Sequence, residues 1–411
     1  MVLNYIWVGF FIIAFVVAIV QSIFFGDSGV FERIMSSSFE MAEFAVMDIC
    51  LPLVGIMTLW MGFMKIGERA GAVNFLSRIV GPFFEKLFPE IPKNHRVNGE
   101  LVMNFSANML GLDNAATPMG LKAMQSLQEL NPNKETASNA QIMFLALNTS
   151  SITIIPLSVI AQRSILGAAN PTDVFIPILI ATFVSTLTAI IYVGIRQKLN
   201  LWNKTFLAWI GGIMLVIAGL VIWFANMDKE TMNQVSGLLS NSLILAIIVA
   251  FMVGGLYKKI NVYEAFIDGA KGGFETSVKI IPYLVGMLVG IGVLRASGAL
   301  DMLTDGIAWC FNALHIDSKF VDALPTAFMK PLSGSGARAM MVETMREFGP
   351  DSFAGRLSCL FQGATDTTFY IIALYFGSVG IKKTRYAVGA GLIADMAGIL
   401  AGIFVCYLFF N

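Results

Sequence analysis

Long uncharged apolar runs leave this chain few ways to fold. Residues 4–25 hold no charged side chain. As a helix rising about 1.5 Å per residue they extend about 33 Å, enough for the hydrocarbon core of a bilayer. Residues 175–196, 206–226 and 386–410 are runs of similar length. Backbone groups in lipid have no water to bond, so such runs must be helical. Composition agrees, with 56% hydrophobic and 13% charged residues and a mean hydropathy of +0.74. Soluble chains carry about 25% charged residues. The expected class is an all-α polytopic membrane protein. Residues 4–25 are too long for a signal-peptide core and lack a basic leader and a small-residue cleavage site, so they are expected to stay as the first span.

Net charge is zero, which argues against a nucleic-acid partner. The four cysteines are scattered without a CxxC pair, and there are two histidines. Neither a disulfide framework nor a metal site is expected. No GxxxxGK loop occurs, so ATP-driven transport would need a partner protein. The chain is expected not to be an enzyme and to hold no cofactor. His95 and His315 read as surface residues.

Two stretches break the apolar pattern with polar residues, Gly111-Leu112-Asp113-Asn114-Ala115-Ala116-Thr117-Pro118 and Leu332-Ser333-Gly334-Ser335-Gly336-Ala337-Arg338. The apolar arms around the first are about ten residues long, too short to span, and predict a re-entrant helical hairpin within 100–130. A matching hairpin is expected within 323–348. Residues 141–160 and 357–376 have apolar arms around Asn148-Thr149-Ser150-Ser151 and Gln362-Gly363-Ala364-Thr365-Asp366-Thr367-Thr368. They predict two discontinuous transmembrane helices. Irregular polar backbone at membrane depth is tolerated where it lines a site or cavity.

The pattern recurs at a period of roughly 230 residues. In the first half, 44–65 is a span holding Asp48, Pro52 and Gly55. Residues 67–88 follow as an amphipathic interfacial helix with Arg69, Arg78 and Lys86, then the hairpin, the broken span and 175–196. In the second half, the span 238–257 and the amphipathic stretch 262–275 precede the span 278–294. Next come an amphipathic stretch over 296–320, the second hairpin, the second broken span and 386–410. Leu53-Val54-Gly55 answers Leu284-Val285-Gly286. With hairpins counted as returning to their own side, the chain crosses nine times. The odd helix at 206–226 makes the two repeats inverted. Basic residues concentrate at 65–96, 196–204, 258–279 and 382–385, while the opposite segments carry Asp27, Glu32, Asp228, Glu230, Asp301, Asp305, Asp317 and Asp322. By the positive-inside rule the N-terminus is cytoplasmic and the C-terminus periplasmic.

Each break admits a structural and a functional reading. Asp113 and Asn114 sit where a half-helix starts, with Thr117 in its first turn. Asp113 is either an N-cap or a cap whose second oxygen meets a ligand. Ser333, Gly334 and Ser335 form either a backbone nest for an anionic or carbonyl group or only a tight turn. Arg338 adds its charge to that nest or snorkels to the interface. Asn148, Thr149 and Ser150, opposite Gln362, Thr365, Asp366 and Thr367, offer groups that hold Na⁺, or bond back to their own helices. Asp366 is also a candidate proton carrier. Asp48 and Lys279 fall at equivalent repeat positions and either pair or lie wet at helix ends. Glu100 is interfacial or functional.

The run Asn98-Gly99-Glu100, Leu112-Asp113-Asn114-Ala115-Ala116-Thr117-Pro118 and Leu147-Asn148-Thr149-Ser150-Ser151 resembles the spore maturation protein A family. The run from Pro331 to Arg338 with Gln362-Gly363-Ala364-Thr365-Asp366-Thr367-Thr368 resembles the spore maturation protein B family. The first resemblance covers about residues 1–199 and the second about 238–411, so the chain looks like a fusion of the two, with 200–237 as a linker containing a transmembrane helix. Both families carry the nucleoside-recognition or Gate domain. That domain relates them to concentrative nucleoside transporters and to the membrane part of ferrous-iron permeases. The resemblance implies a bacterial inner-membrane protein with a transport-like fold.

The expected function is secondary transport of a small polar or nucleoside-like solute, coupled to Na⁺ or H⁺, through a midplane site between inverted repeats. The alternatives are a flippase or channel for a cell-envelope precursor or ion, and a non-transporting membrane scaffold. The expected partners are the lipid bilayer and a small-molecule substrate. Gly286-xxx-Gly290 spacing permits a homo-oligomer.

Overall fold

The computed structural model describes residues 2–92, 95–110, 113–150, 152–154, 156–225, 229–315 and 317–410. Regular structure among them is helical apart from one isolated bridge, Thr136 to Lys383. The first half contains α1 (Val2–Phe24), α2 (Val30–Phe44), a π-helical turn (Ala45–Cys50), α3 (Leu51–Ala70), α4 (Ala72–Leu87), α5 (Arg96–Met109), α6 (Asp113–Leu130), α7 (Asn139–Thr149), α8 (Leu157–Ile165) and α9 (Phe175–Arg196). Then follow α10 (Lys204–Ala225), α11 (Lys229–Tyr257), α12 (Val262–Ala296), α13 (Ala299–Ala313), a 3₁₀ turn (Val321–Ala323), α14 (Leu324–Met329), α15 (Gly334–Phe348), α16 (Phe353–Ala364), α17 (Thr368–Ser378) and α18 (Ala387–Phe410).

The order of elements from α3 to α9 recurs from α12 to α18. Each series runs long helix, medium helix, two-helix hairpin, two short helices, long helix. The medium helix starts in both series after a left-handed glycine, Gly71 at φ 89° and Gly298 at φ 74°. A side chain would strain that backbone, so glycine marks the corner.

Five helical runs among the described residues are long and apolar enough to cross a membrane: Trp7–Phe24, Val30–Ala70, Phe175–Arg196, Val262–Ala296 and Ala387–Phe410. The spans expected at 206–226 and 238–257 fall on the shorter apolar stretches Leu207–Trp223 and Asn241–Tyr257. The two broken spans are pairs of short helices, α7 with α8 and α16 with α17.

Two expected boundaries are corrected. The span expected at 44–65 belongs to a 41-residue helical run from Val30 to Ala70. No proline or glycine interrupts residues 30–44, so the helix propagates backward from the apolar part. Its π turn lies just ahead of Pro52, which has no N–H to return to Asp48. Likewise 262–275 and 278–294 are one 35-residue helix, α12.

Large apolar side chains on α1, α10 and α18 point outward, including Phe15, Leu215, Val216, Leu400 and Phe404. Water would not tolerate so wide an apolar surface, whereas lipid covers it. The chain is a multi-pass membrane protein.

Packing divides the chain into two compact units. The first comprises residues 1–60, 158–171 and 270–362, the second 61–157, 172–269 and 363–411. Each unit holds one hairpin and one piece of each broken helix. The first has α14 and α15 with α8 and nearly all of α16, and the second has α5 and α6 with α7 and α17.

Each unit ties a loop before one broken helix to a loop after the other. In the first unit the fully buried Arg163 donates to Asp351 at 3.0 Å and to the carbonyls of Asn170, Pro171 and Pro350. In the second, the backbone N–H groups of Lys382 and Lys383 both donate to the Glu135 carbonyl at 2.9 Å, and Lys382 Nζ meets the Glu135 carboxylate at 2.7 Å.

Candidate functional site

The breaks of the two broken helices meet in the second unit. Helix α7 starts at a capping box, in which Ser138 Oγ accepts from Gln141 N–H and the Gln141 side chain accepts from Ser138 N–H. That cap fixes the register that brings Asn148, Thr149 and Ser150 to its C-terminal end, all three buried. Helix α17 starts at Thr368, with Thr367 as N-cap and no side-chain bond closing the cap. The backbone N–H of Asp366 donates to the Thr149 carbonyl at 2.7 Å. A helix C-terminus, with its outward carbonyls, thus adjoins a helix N-terminus, with its outward N–H groups.

Polar side chains surround this joint. Asn148 Nδ2 donates back to Phe144 O at 2.9 Å, and its Oδ1 accepts from Asn108 Nδ2 at 2.9 Å. The Tyr375 hydroxyl lies 3.5 Å from the same oxygen. Thr186 of α9 donates to the Ser150 carbonyl at 2.5 Å. Asp366 Oδ1 accepts from Thr367 N–H at 2.7 Å. Thr365, Thr367 and Thr368 are buried, and within this run the Asp366 side chain alone is exposed. The carboxylate therefore stands open beside an otherwise buried polar cluster.

Helix α18 closes the cluster from behind. Thr368 Oγ1 donates to Asp395 Oδ2 at 2.6 Å, and both residues are buried. Gly391 and Gly398 bring α18 close. A Cβ on Gly391 would lie 2.5 Å from the Thr368 methyl, and one on Gly398 would lie 3.0 Å from the Thr365 methyl. Ser185 of α9 donates to the Ala394 carbonyl at 2.9 Å.

The first hairpin supplies the remaining wall. Met109 O accepts from Ile154 N–H at 2.8 Å, so the end of α5 is stitched to the chain beyond the first break. Asn104 Nδ2 donates to Ala116 O at 2.8 Å and holds α5 against α6. Helix α6 begins at Asp113, and Thr117 is half-buried in it. The side chains of Asp113 and Asn114, and all of Ser151, lie outside the described residues.

Ser333, Gly334, Ser335, Arg338 and Gln362 belong to the first unit. Ser333 is the N-cap of α15, its Oγ accepting from Gly336 N–H at 3.0 Å and lying 3.2 Å from Ser335 Oγ. Gly334, Ser335 and Arg338 are half-buried, while Gln362 is buried with no partner for its Oε1. Asp48 is exposed in the π turn, and the Lys279 side chain lies outside the described residues. His95 accepts from Val97 N–H at 3.3 Å as the N-cap of α5. His315 is exposed.

Four residues of this cluster escape the sequence reading: Asn104, Asn108, Tyr375 and Asp395. Two had a signal. Asp395 is the one acid in residues 386–410, and Glu100, Asn104 and Asn108 recur every four residues along α5. Among the described residues no group of three or more His, Cys, Asp or Glu side chains is arranged to hold a metal ion.

Comparison with known proteins adds three findings. The family model described as Gate, nucleoside recognition, matches residues 50–166 and 277–382. Each match runs from a long helix through the hairpin into the broken helix. Spore maturation protein B of Bacillus subtilis (strain 168) is 45% identical over 173 residues, 42% of this chain and 96% of that protein. Spore maturation protein A of the same organism is 40% identical over 198 residues, 47% of this chain and 97% of that protein. No solved structure matches the chain.

Proposed function

We propose, from the premise that this chain belongs to the Gate, or nucleoside-recognition, family, that it is a secondary transporter of a small polar or nucleoside-like solute in the bacterial inner membrane. The observation that carries the reading is the joint of Thr149 and Asp366. Two helix ends of opposite dipole meet there, with buried amide and hydroxyl groups around them and an open carboxylate beside them. Broken helices in secondary transporters use such ends to hold substrate groups and coupling ions.

In this reading residues 1–199 and 238–411 are repeats of opposite orientation, joined by 200–237, with the N-terminus cytoplasmic and the C-terminus periplasmic. Asn148, Thr149, Ser150, Thr365, Asp366 and Thr367 bind the solute with Asp113, Asn114 and Thr117. In the first unit, Ser333, Gly334, Ser335 and Arg338 of the second hairpin and Gln362 of α16 are the candidate solute contacts. Na⁺ or H⁺ drives uphill movement. The reading needs neither catalysis nor a bound cofactor.

The test is thermal stabilisation of the purified full-length protein by nucleosides, amino acids and small anions, with and without Na⁺. A ligand that binds the folded state raises the melting temperature by mass action. One class of solute is expected to raise it, with the rise lost in Asp366→Ala. Absence of any shift across the panel overturns the proposal.

A further inference from the structure

A buried carboxylate of the first unit lies outside the cluster described above. Glu343 sits in α15 of the second hairpin and is 4% exposed. Its Oε1 meets Arg295 Nε at 3.1 Å. Its Oε2 is buried with no hydrogen-bond partner. Arg295, at the end of α12, is shared further, with Asp301 Oδ1 at 3.6 Å and Glu347 Oε2 at 3.9 Å. One guanidinium therefore serves three carboxylates, and the group carries a net charge of −2 when all are ionised.

The remaining charged groups facing Glu343 are Arg346 and Glu347 on its own helix and Glu40 on α2. Arg346 is already committed, paired with Glu40 and stacked 4.6 Å from the Phe44 ring. Among the described residues, no hydrogen-bond partner reaches Glu343 Oε2. A buried ionised carboxylate with a bare oxygen is costly, because an ion removed from water needs all its hydrogen bonds replaced. An Arg–carboxylate pair built for structure is usually a two-point fork, which this one is not.

We propose that Glu343 is a proton-binding site. Its Oε2 takes a proton from a buffer acid or hydronium, forming an O–H bond and leaving the conjugate base in solution. Protonation takes the group from −2 to −1 and frees Arg295 to strengthen its contacts with Asp301 and Glu347. Loss of the proton draws Arg295 back to Glu343. The position of the α12 end relative to α15 thus follows the protonation state. That this proton is the coupling ion rests on the transporter reading, whereas the titration does not.

Infrared spectroscopy of the full-length protein in lipid reads the site directly. Spectra taken across a pH series read the two protonation states of a buried acid. A protonated-carboxyl C=O band is expected that fades as pH rises. The Glu343 component should be absent in Glu343→Gln and present in Asp301→Asn and Asp322→Asn. Arg295→Gln removes the cation paired with Glu343 and should move the fading to higher pH, a readout that survives if Glu343→Gln folds poorly. A wild-type spectrum with no titrating carboxyl band, or one that Arg295→Gln leaves unmoved, overturns the proposal and marks Glu343 as a fixed ion-pair partner. A titrating band without any solute-dependent stabilisation keeps the proton site and overturns the transporter reading instead.

Discussion

The N–H of Asp366 and the carbonyl of Thr149 share a 2.7 Å hydrogen bond, so the breaks of two helices 217 positions apart in the chain are joined by backbone alone. Side-chain exchange at 366 therefore spares the joint, while proline removes its donor. Asp366→Asn is expected to keep stability within about 0.5 kcal/mol, as for an exposed side chain. Asp366→Pro should cost about 1–3 kcal/mol, the penalty of a buried unsatisfied carbonyl. Thermal unfolding of the two purified variants checks this.

Thr368 and Asp395 make the second such tie, this one through side chains. The hydroxyl is the donor that Asp395 Oδ2 receives at 2.6 Å in a buried setting. Thr368→Val keeps the shape and deletes the donor. It should cost about 1.5–3 kcal/mol, the range for hydrogen bonds to charged groups. Thr368→Ser retains the hydroxyl and should lose much less. A larger loss in Thr368→Ser than in Thr368→Val would assign the stability to the methyl group instead.

The close fit of α18 gives a prediction of opposite logic. A methyl added at Gly391 would sit 2.5 Å from the Thr368 Cγ2, nearer than side chains approach. Gly391→Ala should destabilise by about 1–3 kcal/mol through overpacking. Because the clash is with a methyl, Gly391→Ala combined with Thr368→Ser should recover part of that loss. Gly398→Ala, at 3.0 Å from Thr365, should cost less. A double variant no better than Gly391→Ala alone would locate the strain elsewhere.

Much of this was legible because polar residues inside apolar runs are rare and costly. That logic led to Asp366 and Thr149. It passed over Asp395, whose neighbours Gly391, Ala394 and Gly398 make the run so apolar that one acid barely alters it. Ser333 was legible as part of a polar break, and its role as an N-cap follows from local spacing to Gly336. The continuous helix from Val30 to Ala70 was not legible. A change from amphipathic to apolar pattern looks like a boundary, yet only glycine, proline or a cap ends a helix. The bond from Asn108 to Asn148 depends on tertiary packing, which no local pattern encodes.

Asp322 carries a pH signature. Burial, then repulsion from Asp305, pushes its carboxyl above the usual range, and Arg295 offsets this only in part. A carboxyl whose folded-state pKa is raised favours the folded state when protonated. Its contribution is present at low pH and is lost as pH rises through the folded-state value. Asp322→Asn should therefore raise the melting temperature above that value and leave it unchanged well below. Melting curves across mildly acidic to neutral pH separate this from a uniform effect, which would point to packing.

Arg163 provides the sharpest test of the first unit. The side chain is wholly buried and distributes its donors over three backbone carbonyls and Asp351. Only a planar fork reaches partners in that arrangement, and an ammonium does not reproduce it. Arg163→Ala strands the carbonyls of Asn170, Pro171 and Pro350 together, and should cost about 3–5 kcal/mol, as for a broken buried pair. Asp351→Asn should cost about 1 kcal/mol, because that carboxylate is partly exposed and the carbonyl bonds persist. Arg163→Lys should fall near Arg163→Ala despite keeping the charge. If Lys instead restores stability, charge neutralisation of Asp351 governs the loop and the backbone carbonyls do not.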